Sequence, residues 1–266
     1  MSDKIVLLDG HSILNRAFYG VPDLSNAEGL HTNAVYGFLN ILFKILDEEQ
    51  PQYLAVAFDL HAPTFRHKMY DQYKGTRKPM PQELREQVPV IQEVLAAMDI
   101  EIVTKEGYEA DDILGTLGRK CEAEGMEVTI VSGDRDLLQL ATDHILIRIP
   151  KTVKRVTTIE NYHTAEVLEK YSLLPKQIID LKALMGDSSD NIPGIPGVGE
   201  KTATKMIVQF GSIENAHEHL EEVKPNKAKE SLREHYDMAQ LSKELATINT
   251  DSPLEFSYEK AKVENP

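Results

Sequence analysis

The sequence has almost no cysteine and no long apolar run. Its one cysteine, Cys121, excludes an intrachain disulfide and fits a reducing cytoplasm. The absence of any window of about 18 consecutive apolar residues argues against a membrane span. The first residues lead directly into a predicted strand and do not resemble a signal peptide. We therefore expect a cytoplasmic protein with no membrane partner, in which Cys121 is an inert core residue.

Basic residues are also in short supply. The chain has 29 Lys and Arg against 43 Asp and Glu, a net charge of −14, which at first argues against a nucleic-acid partner. The basic residues are clustered, however. Residues 61–90 carry a net charge of +3, and residues 148–155 hold Arg148, Lys151, Lys154 and Arg155 with no acid. A solvated acidic surface explains most of the excess, but local basic strips on an acidic protein are typical of a metal-dependent enzyme acting on phosphates.

Short apolar runs alternate with helical periodicity over the first two thirds of the chain, which predicts an α/β fold with a parallel sheet. From about Leu174 the pattern is wholly helical. We therefore divide the chain into domains at 1–173 and 174–266. The predicted strands are 4–8, 53–58, 101–103, 127–131 and an edge strand at 145–149. The predicted helices include 34–46, 178–185, 203–210 and a polar helical region at 224–243, before a tail with a weak strand at 254–258.

Three prolines interrupt the basic stretch that follows the second strand. Pro79, Pro81 and Pro89 predict a long loop or arch at about residues 70–90, carrying short helices. The stretch contains Tyr73, Lys74 and Arg77, which pair an aromatic ring with two cations. Such a pairing suits stacking of a base and neutralisation of a phosphate. A solvated basic turn is the alternative reading of these residues taken alone.

Acidic residues follow several predicted strands at the same edge of the sheet. Asp9, Asp59 and Asp134 each stand at a strand end, and Gly107–Asp112 reads Gly-Tyr-Glu-Ala-Asp-Asp. In an open parallel sheet, ligands bind outside the carboxyl ends of the strands. Any one such acid is better explained as a turn or helix cap, but their convergence favours a site. The candidate metal ligands are Asp9, Asp59, Glu109, Asp111, Asp112, Asp134, Asp136, Asp187 and Asp190.

A pocket of carboxylates needs cations. Two carboxylates about 4 Å apart repel each other by roughly 4 kcal/mol at an effective dielectric near 20. Oxygen ligands without a cluster of His or Cys select Mg²⁺ or Mn²⁺ over zinc, and we place His11 and His61 in supporting or surface positions. Two such ions would activate a water and stabilise the leaving oxygen of a phosphodiester. The sequence therefore predicts phosphoryl chemistry.

A glycine hairpin lies between two predicted helices. Gly194-Ile-Pro-Gly197-Val-Gly199 is followed by Glu200-Lys201-Thr202, so Glu200 breaks the P-loop pattern and no strand precedes it. The hairpin would aim backbone N–H groups and a helix N-terminus at an anion, and a DNA backbone phosphate fits. A structural turn between helices is the alternative. The candidate DNA-binding residues are Gly197, Val198, Gly199, Lys201, Thr202 and Lys205, together with Arg16, Tyr73, Lys74 and Arg77.

These motifs resemble a known family. Asp9, Asp59, Glu-Ala-Asp-Asp, Ser-Gly-Asp-Arg-Asp, Tyr-Lys-Gly-Thr-Arg and the run from Gly-Asp-Ser-Ser-Asp-Asn to Gly-Glu-Lys-Thr-Ala resemble the bacterial 5′–3′ exonucleases of the flap-endonuclease family. Within it, the amino-terminal nuclease domain of DNA polymerase I is most similar. The resemblance covers essentially the whole chain. It implies a PIN-like parallel-sheet core, a helical arch and a helix–three-turn–helix DNA-binding segment.

The resemblance also implies residue roles. Asp9, Asp59, Glu109, Asp111 and Asp112 would hold a first metal ion, and Asp134, Asp136, Asp187 and Asp190 would hold or support a second. Lys74, Arg77, Asp111 and Asp134 would be catalytic, and Tyr73 would stack on a terminal base. A K⁺ ion on the hairpin carbonyls is implied as well.

The expected function is a structure-specific 5′ nuclease for primer removal and repair. It would use two Mg²⁺ or Mn²⁺ ions on flapped, nicked or branched DNA, RNA-primed strands included. The expected protein is a bacterial monomer, either excised from a polymerase or a stand-alone nuclease. The alternatives are a PIN-type ribonuclease and an inactive junction-binding module. The hairpin argues against the first, and the intact set of acids argues against the second.

Overall fold

The apolar runs build one sheet. The structure, a computed structural model, describes residues 2–153 and 156–263. Its sheet has six strands in the order β3-β2-β1-β4-β5-β6, of which β1 to β5 are parallel and β6 is antiparallel to β5. The strands are β1 (Lys4–Asp9), β2 (Tyr53–Ala57), β3 (Glu101–Val103), β4 (Glu127–Val131), β5 (Ile145–Val153) and β6 (Val156–Tyr162).

The central strand β1 is apolar on both sides because helices cover both faces of the sheet. Successive side chains alternate between the faces. Ile5 and Leu7 pack into one core, whereas Val6 and Leu8 pack into the other. On the Val6 side lie α1 (Gly10–Gly20), α2 (Asn33–Glu49) and α5 (Gln87–Ala97). On the Ile5 side lies α6 (Ala110–Ala123), whose Cys121 is fully buried, as predicted.

The predicted arch lies between two short helices, α3 (Phe65–Met69) and α4 (Gln82–Arg85). Residues 70–81, which we call the arch segment, contain a run of turns and no helix. Lys74 has a left-handed backbone (φ 56°), so Lys74 and Arg77 come together through a turn and not through a helical repeat.

The C-terminal third is helical, as predicted. Its core is continuous with the core on the α6 side of the sheet, to which the helices Gln177–Met185 and Glu200–Phe210 contribute Leu181, Ala203 and Ile207. The predicted polar helical region is two helices with a break at His235. The helices are α7 (Thr164–Tyr171), α8 (Gln177–Met185), α9 (Glu200–Phe210), α10 (Ile213–Glu218), α11 (Asn226–Glu234), α12 (Tyr236–Ala246) and α13 (Tyr258–Ala261).

Two strand predictions are wrong. The sheet edge is β6 and not β5, because the basic run around residue 150 continues β5 into an antiparallel hairpin. The predicted strand at 254–258 is also absent from the described residues: Leu254 and Phe256 lie in irregular chain and pack on the core, and Tyr258 begins α13. Their alternating pattern therefore reflects packing without a hydrogen-bonded ladder.

The basic strip at 148–155 is only partly a surface strip. Arg148 is buried and donates to Glu48 (2.5 Å), Glu49 (2.7 Å) and Asn161 (3.0 Å). Its charge is therefore neutralised by acids of the protein itself. Lys154 and Arg155 lie outside the described residues. Across the described ranges, no helix combines the length and the apolar character that a membrane crossing requires.

Candidate metal centre and nucleic-acid interface

An acidic cleft opens at the carboxyl ends of β1 and β4, where the strand order departs from the chain order. Such a switch point is where open α/β sheets bind ligands. The cleft has a volume of about 760 Å³, and Lys74 and Arg77 of the arch segment face its acids. The acids that line it are Asp9, Asp59, Glu109, Asp111 and Asp134.

Three of these acids also accept hydrogen bonds of the kind expected for an acid that caps a helix or closes a turn after a strand. Asp9 accepts the N–H of Ser12 at the start of α1 (3.0 Å) and the hydroxyl of Ser132 (2.8 Å). Asp134 accepts the N–H of Asp136 (2.9 Å), and Asp59 accepts the N–H of Ala110 (2.7 Å). A carboxylate has about four lone-pair sites, so these bonds orient each group and leave capacity for another partner.

Two of the cleft acids have raised pKa values. Burial, followed by the nearby charge of Asp59, raises the pKa of Asp9 to about 7. Burial and the charges of Asp134 and Asp9 raise the pKa of Asp111 well above its usual value. Both shifts mean that ionisation is costly without a cation. The donor set, which is all oxygen, fits a hard divalent ion.

Within residues 2–153 and 156–263, no three acidic, histidine or cysteine side chains already form a cluster that could hold a metal ion. A protein cation contacts one of the cleft acids: Lys74 Nζ donates to Glu109 Oε1 (2.7 Å). His11 accepts the N–H of Asp59 (3.2 Å), which agrees with a supporting position. Ligation would therefore require the side chains to turn towards a shared ion.

The second charged surface is the glycine hairpin between α8 and α9. Gly194 has a left-handed backbone (φ 61°), and a Cβ there would lie 2.3 Å from the backbone nitrogen of Gly186, so only glycine fits this approach. Ile195 and Val198 are buried and anchor the hairpin. Its exposed part comprises Gly197, Gly199, Lys201 and Lys205, with Thr202 half-buried.

The hairpin can receive an anion at its outer side. Gly199 is the N-cap of α9 and no side chain caps it. The helix N-terminus is thus presented next to exposed Lys201 and Lys205. Glu200, in the first turn, satisfies part of the helix dipole. Val198 contributes a buried anchor, so its predicted DNA contact would involve backbone atoms only.

Comparison with known proteins decides the family. A protein-family model described as 5′-3′ exonuclease, N-terminal resolvase-like domain, matches residues 4–172. A second, 5′-3′ exonuclease, C-terminal SAM fold, matches residues 173–266. The chain belongs to the 5′–3′ exonuclease family. The predicted fold class, a PIN-like sheet core with an arch and a helical C-terminal segment, is confirmed.

The curated relatives of this chain are longer proteins. DNA polymerase I of Bacillus caldotenax is 53% identical over 97% of this chain, which covers 29% of that protein. DNA polymerase I of Bacillus subtilis is 54% identical over 96% of this chain, again covering 29%. The chain thus spans about three tenths of the length of these curated relatives.

Solved structures share the exonuclease fold at low identity. Bacteriophage T5 5′-exonuclease with bound zinc ions has a TM-score of 0.74 at 22% identity, covering 93% of this chain and 90% of that one. The catalytic core of Rad2 in complex with DNA substrate has a TM-score of 0.57 at 18% identity, covering 97% and 84%. At these identities the likeness establishes the fold.

Asp112 does not line the cleft, which corrects its predicted place among the metal ligands. It is fully buried, and both of its oxygens accept hydrogen bonds from Arg66 at 2.8 Å. The N–H groups of Asn249 (2.8 Å) and Glu109 (3.0 Å) fill its remaining acceptor sites. Asp112 is therefore one half of a buried ion pair. Sequence reasoning missed Arg66, whose only local signal is its place directly before the arch.

Three further predicted ligands lie beside the cleft and contact protein cations. Lys182, a buried residue on α8, contacts both Asp136 and Asp187. Burial raises the pKa of Asp136 to about 7. Burial also acts to raise the Asp187 pKa, but the hydrogen bond and charge of Lys182 outweigh it and hold that pKa at about 2. Asp190 pairs with Arg77.

Tyr73 does not offer its ring to solvent, which corrects its predicted stacking role. Only 4% of the residue is exposed, and its hydroxyl donates to Glu109 (3.1 Å). The ring packs edge-on against His67. Tyr73 therefore orients Glu109 from behind the cleft. Arg16, in contrast, donates to the carbonyl of Gly133 (3.1 Å), next to Asp134, and is half-buried.

Proposed function

We propose that this protein hydrolyses DNA phosphodiesters at 5′ ends and 5′ flaps, with divalent cations held in the acidic cleft. The observation that carries the proposal is the placement of five acids in one cleft opposite Lys74 and Arg77. Turnover of a 5′-labelled flap duplex, with Mg²⁺ or with EDTA, tests it. Cleavage of an RNA counterpart alone would favour the ribonuclease, and binding without turnover would favour the inactive junction-binding module.

Two Mg²⁺ or Mn²⁺ ions are the proposed cofactors. Asp9, Asp59, Glu109 and Asp111 would hold the first ion, and Asp134 would contribute to the second with support from Asp136, Asp187 and Asp190. When bound, such ions lower the pKa of a water and neutralise developing charge on the phosphate. Asp9 and Asp134 are already oriented by their backbone partners, which reduces the reorganisation that ligation requires.

The chain's own cations complete the site. Lys74 Nζ lies 2.7 Å from Glu109 and 4.0 Å from Asp190, and Arg77 contacts Asp190 and donates to the carbonyl of Ser189 (3.2 Å). Both would bind the scissile phosphate and stabilise its charge in the transition state. Half of the Arg77 side chain is exposed (48%), so it can reach a substrate without unfolding the arch segment.

The hairpin would bind the duplex backbone away from the cleft, with a K⁺ ion on its carbonyls.

We also propose that the domains are 1–173 and 174–266, that the chain acts as a monomer in the bacterial cytoplasm, and that it is joined to a polymerase domain in the full-length protein. RNA-primed strands belong to the proposed substrates. The boundary between the two matched family models, at residue 172, supports the domain division.

The first prediction concerns the hairpin. Lys201→Ala should weaken duplex binding equally across sequences, because a phosphate contact carries no sequence information. Loss of one such contact should reduce the slope of log K against log salt by about 0.9. Fluorescence anisotropy at several salt concentrations measures it. Lys120→Ala, which removes an exposed lysine on α6, should leave the slope unchanged. An unchanged slope in Lys201→Ala would remove Lys201 from the interface.

The second prediction concerns metal and pH. The pKa values of Asp9 and Asp136 are raised to about 7, so their stabilising contribution is present below pH 4 and is lost as the pH rises through 7. The melting temperature in EDTA should therefore fall between pH 5 and pH 8. Because protons and metal compete for these groups, the rise produced by Mg²⁺ should be larger at pH 8 than at pH 6. Calorimetry checks this, and a shift independent of pH would contradict it.

A further inference from the structure

A single buried arginine connects three parts of the molecule. Arg66 on α3 has only 3% of its side chain exposed, and all five of its N–H groups are used. Two reach Asp112 and one reaches Glu109 (3.2 Å). The other two donate to the carbonyls of Leu245 (2.9 Å) and Thr247 (2.7 Å), at the end of α12.

The two oxygens of Glu109 have different partners because of this arginine. Oε2 accepts from Arg66 and from the hydroxyl of Tyr73 (3.1 Å), and both of those groups are buried. Oε1 accepts from Lys74, which is partly exposed and lines the cleft. The buried partners thus hold one oxygen in place, and the other is turned to the cleft, where an ion would bind.

Residues 245–249, which we call the strap, fix Arg66 in turn. The strap is attached to the catalytic part through backbone groups: two carbonyls bind Arg66, Gln139 bridges Ala246 and Ile248 (2.9 Å each), and the N–H of Asn249 donates to Asp112. Farther back on α12, the buried Ser242 accepts the N–H of Gly194 in the hairpin (2.9 Å). One helix therefore contacts the hairpin with its side and Arg66 with its end.

We propose that Arg66 is a positioning residue, which fixes the metal-facing orientation of Glu109 and makes that orientation depend on docking of the strap. The inference rests on the proposed metal-dependent function. Arg66 touches neither the cleft nor a substrate, so it acts only through Glu109. A planar guanidinium can bind both carboxylates and two carbonyls at once, whereas the ammonium of a lysine cannot.

Arg66→Lys keeps the charge and removes this geometry. The dissociation constant for Mn²⁺, measured by electron paramagnetic resonance on the DNA-free chain, should rise by about tenfold or more, the usual effect of losing a partner behind a metal ligand. Raising the Mg²⁺ concentration should restore much of the kcat lost on a flap duplex, and DNA affinity in EDTA should change little. Folding of the variant is checked by circular dichroism.

Arg148→Lys is the matched control, since Arg148 is also a buried arginine that binds two acids (7% of its side chain is exposed), but it lies away from the cleft. It should reduce stability and leave Mn²⁺ affinity unchanged. Equal Mn²⁺ affinity in wild type and Arg66→Lys, or equal loss in both arginine variants, would overturn the positioning role. Absence of Mn²⁺ binding by the wild type would instead overturn the metal-dependent function.

Gln139→Leu tests the strap. It removes two strap contacts and leaves every hydrogen-bond partner of Glu109 in place. If the strap acts through Arg66, this change should weaken Mn²⁺ binding in the wild-type background and add nothing to Arg66→Lys. Equal effects in the two backgrounds, or none in either, would show that the strap does not control Glu109.

Discussion

Asp111→Asn and Asp134→Asn should each reduce cleavage of a flap duplex more than about 100-fold while duplex binding in EDTA survives. Both acids line the cleft, and the pKa of Asp111 is raised first by burial and then by the charge of Asp134. An amide keeps the shape and removes the charge that would hold a cation. Single-turnover kinetics and anisotropy on the same substrate separate the two effects.

The same variants should not destabilise the metal-free protein. Removing one charge from a repelling group relieves the cost of ionising the others, and an asparagine at position 134 can still accept the N–H of Asp136, as Asp134 does. The melting temperature in EDTA should stay level or rise. Asp143→Asn, at an exposed acid, serves as the control and should change neither activity nor stability. Parallel loss of binding and cleavage would show that the two cleft acids act through the fold and not through metal.

Asp112→Asn should instead lower the stability of the protein, although Asp112 follows Asp111 directly in the chain. Its carboxylate is fully buried and bound bidentately by Arg66. Removing one partner of a buried pair leaves an uncompensated charge and costs about 3–5 kcal/mol. Urea denaturation should show a lower midpoint at an unchanged m-value.

Asp111→Asn is the matched comparison for this prediction, because the two residues share one helical turn and differ in what they face. We expect Asp112→Asn to lose stability and Asp111→Asn to lose activity. A stable Asp112→Asn protein with weakened Mn²⁺ binding would return Asp112 to the metal ligands. It would also contradict the assignment of this carboxylate to Arg66.

The sequence was sufficient to predict the parallel strands of the sheet core and the acids at its edge. Strands followed within three residues by Asp9, Asp59 or Asp134 could be placed because parallel strands end at one edge, and this requires only local patterns. The glycine hairpin could likewise be predicted from a local sequence pattern. β6 was missed because its polar alternation follows a basic run that resembles a surface strip, and pairing with β5 is a non-local event.

The protein cations behind the acids could not be predicted in the same way. Arg66 is distant in sequence from Asp112, and Lys182 is distant from Asp136, so only tertiary packing brings these pairs together. Lys182 left a weak signal, a lysine within the apolar stretch of α8. The burial of Tyr73 was also beyond local reasoning, because its position in a basic turn predicts exposure.

The most direct test of the account is anomalous diffraction from crystals of the chain soaked in millimolar Mn²⁺. We expect anomalous peaks in the cleft among Asp9, Glu109, Asp111 and Asp134, with Lys74 displaced from Glu109. A cleft without Mn²⁺, with Lys74 still bound to Glu109, would contradict the claim that these acids form a metal centre.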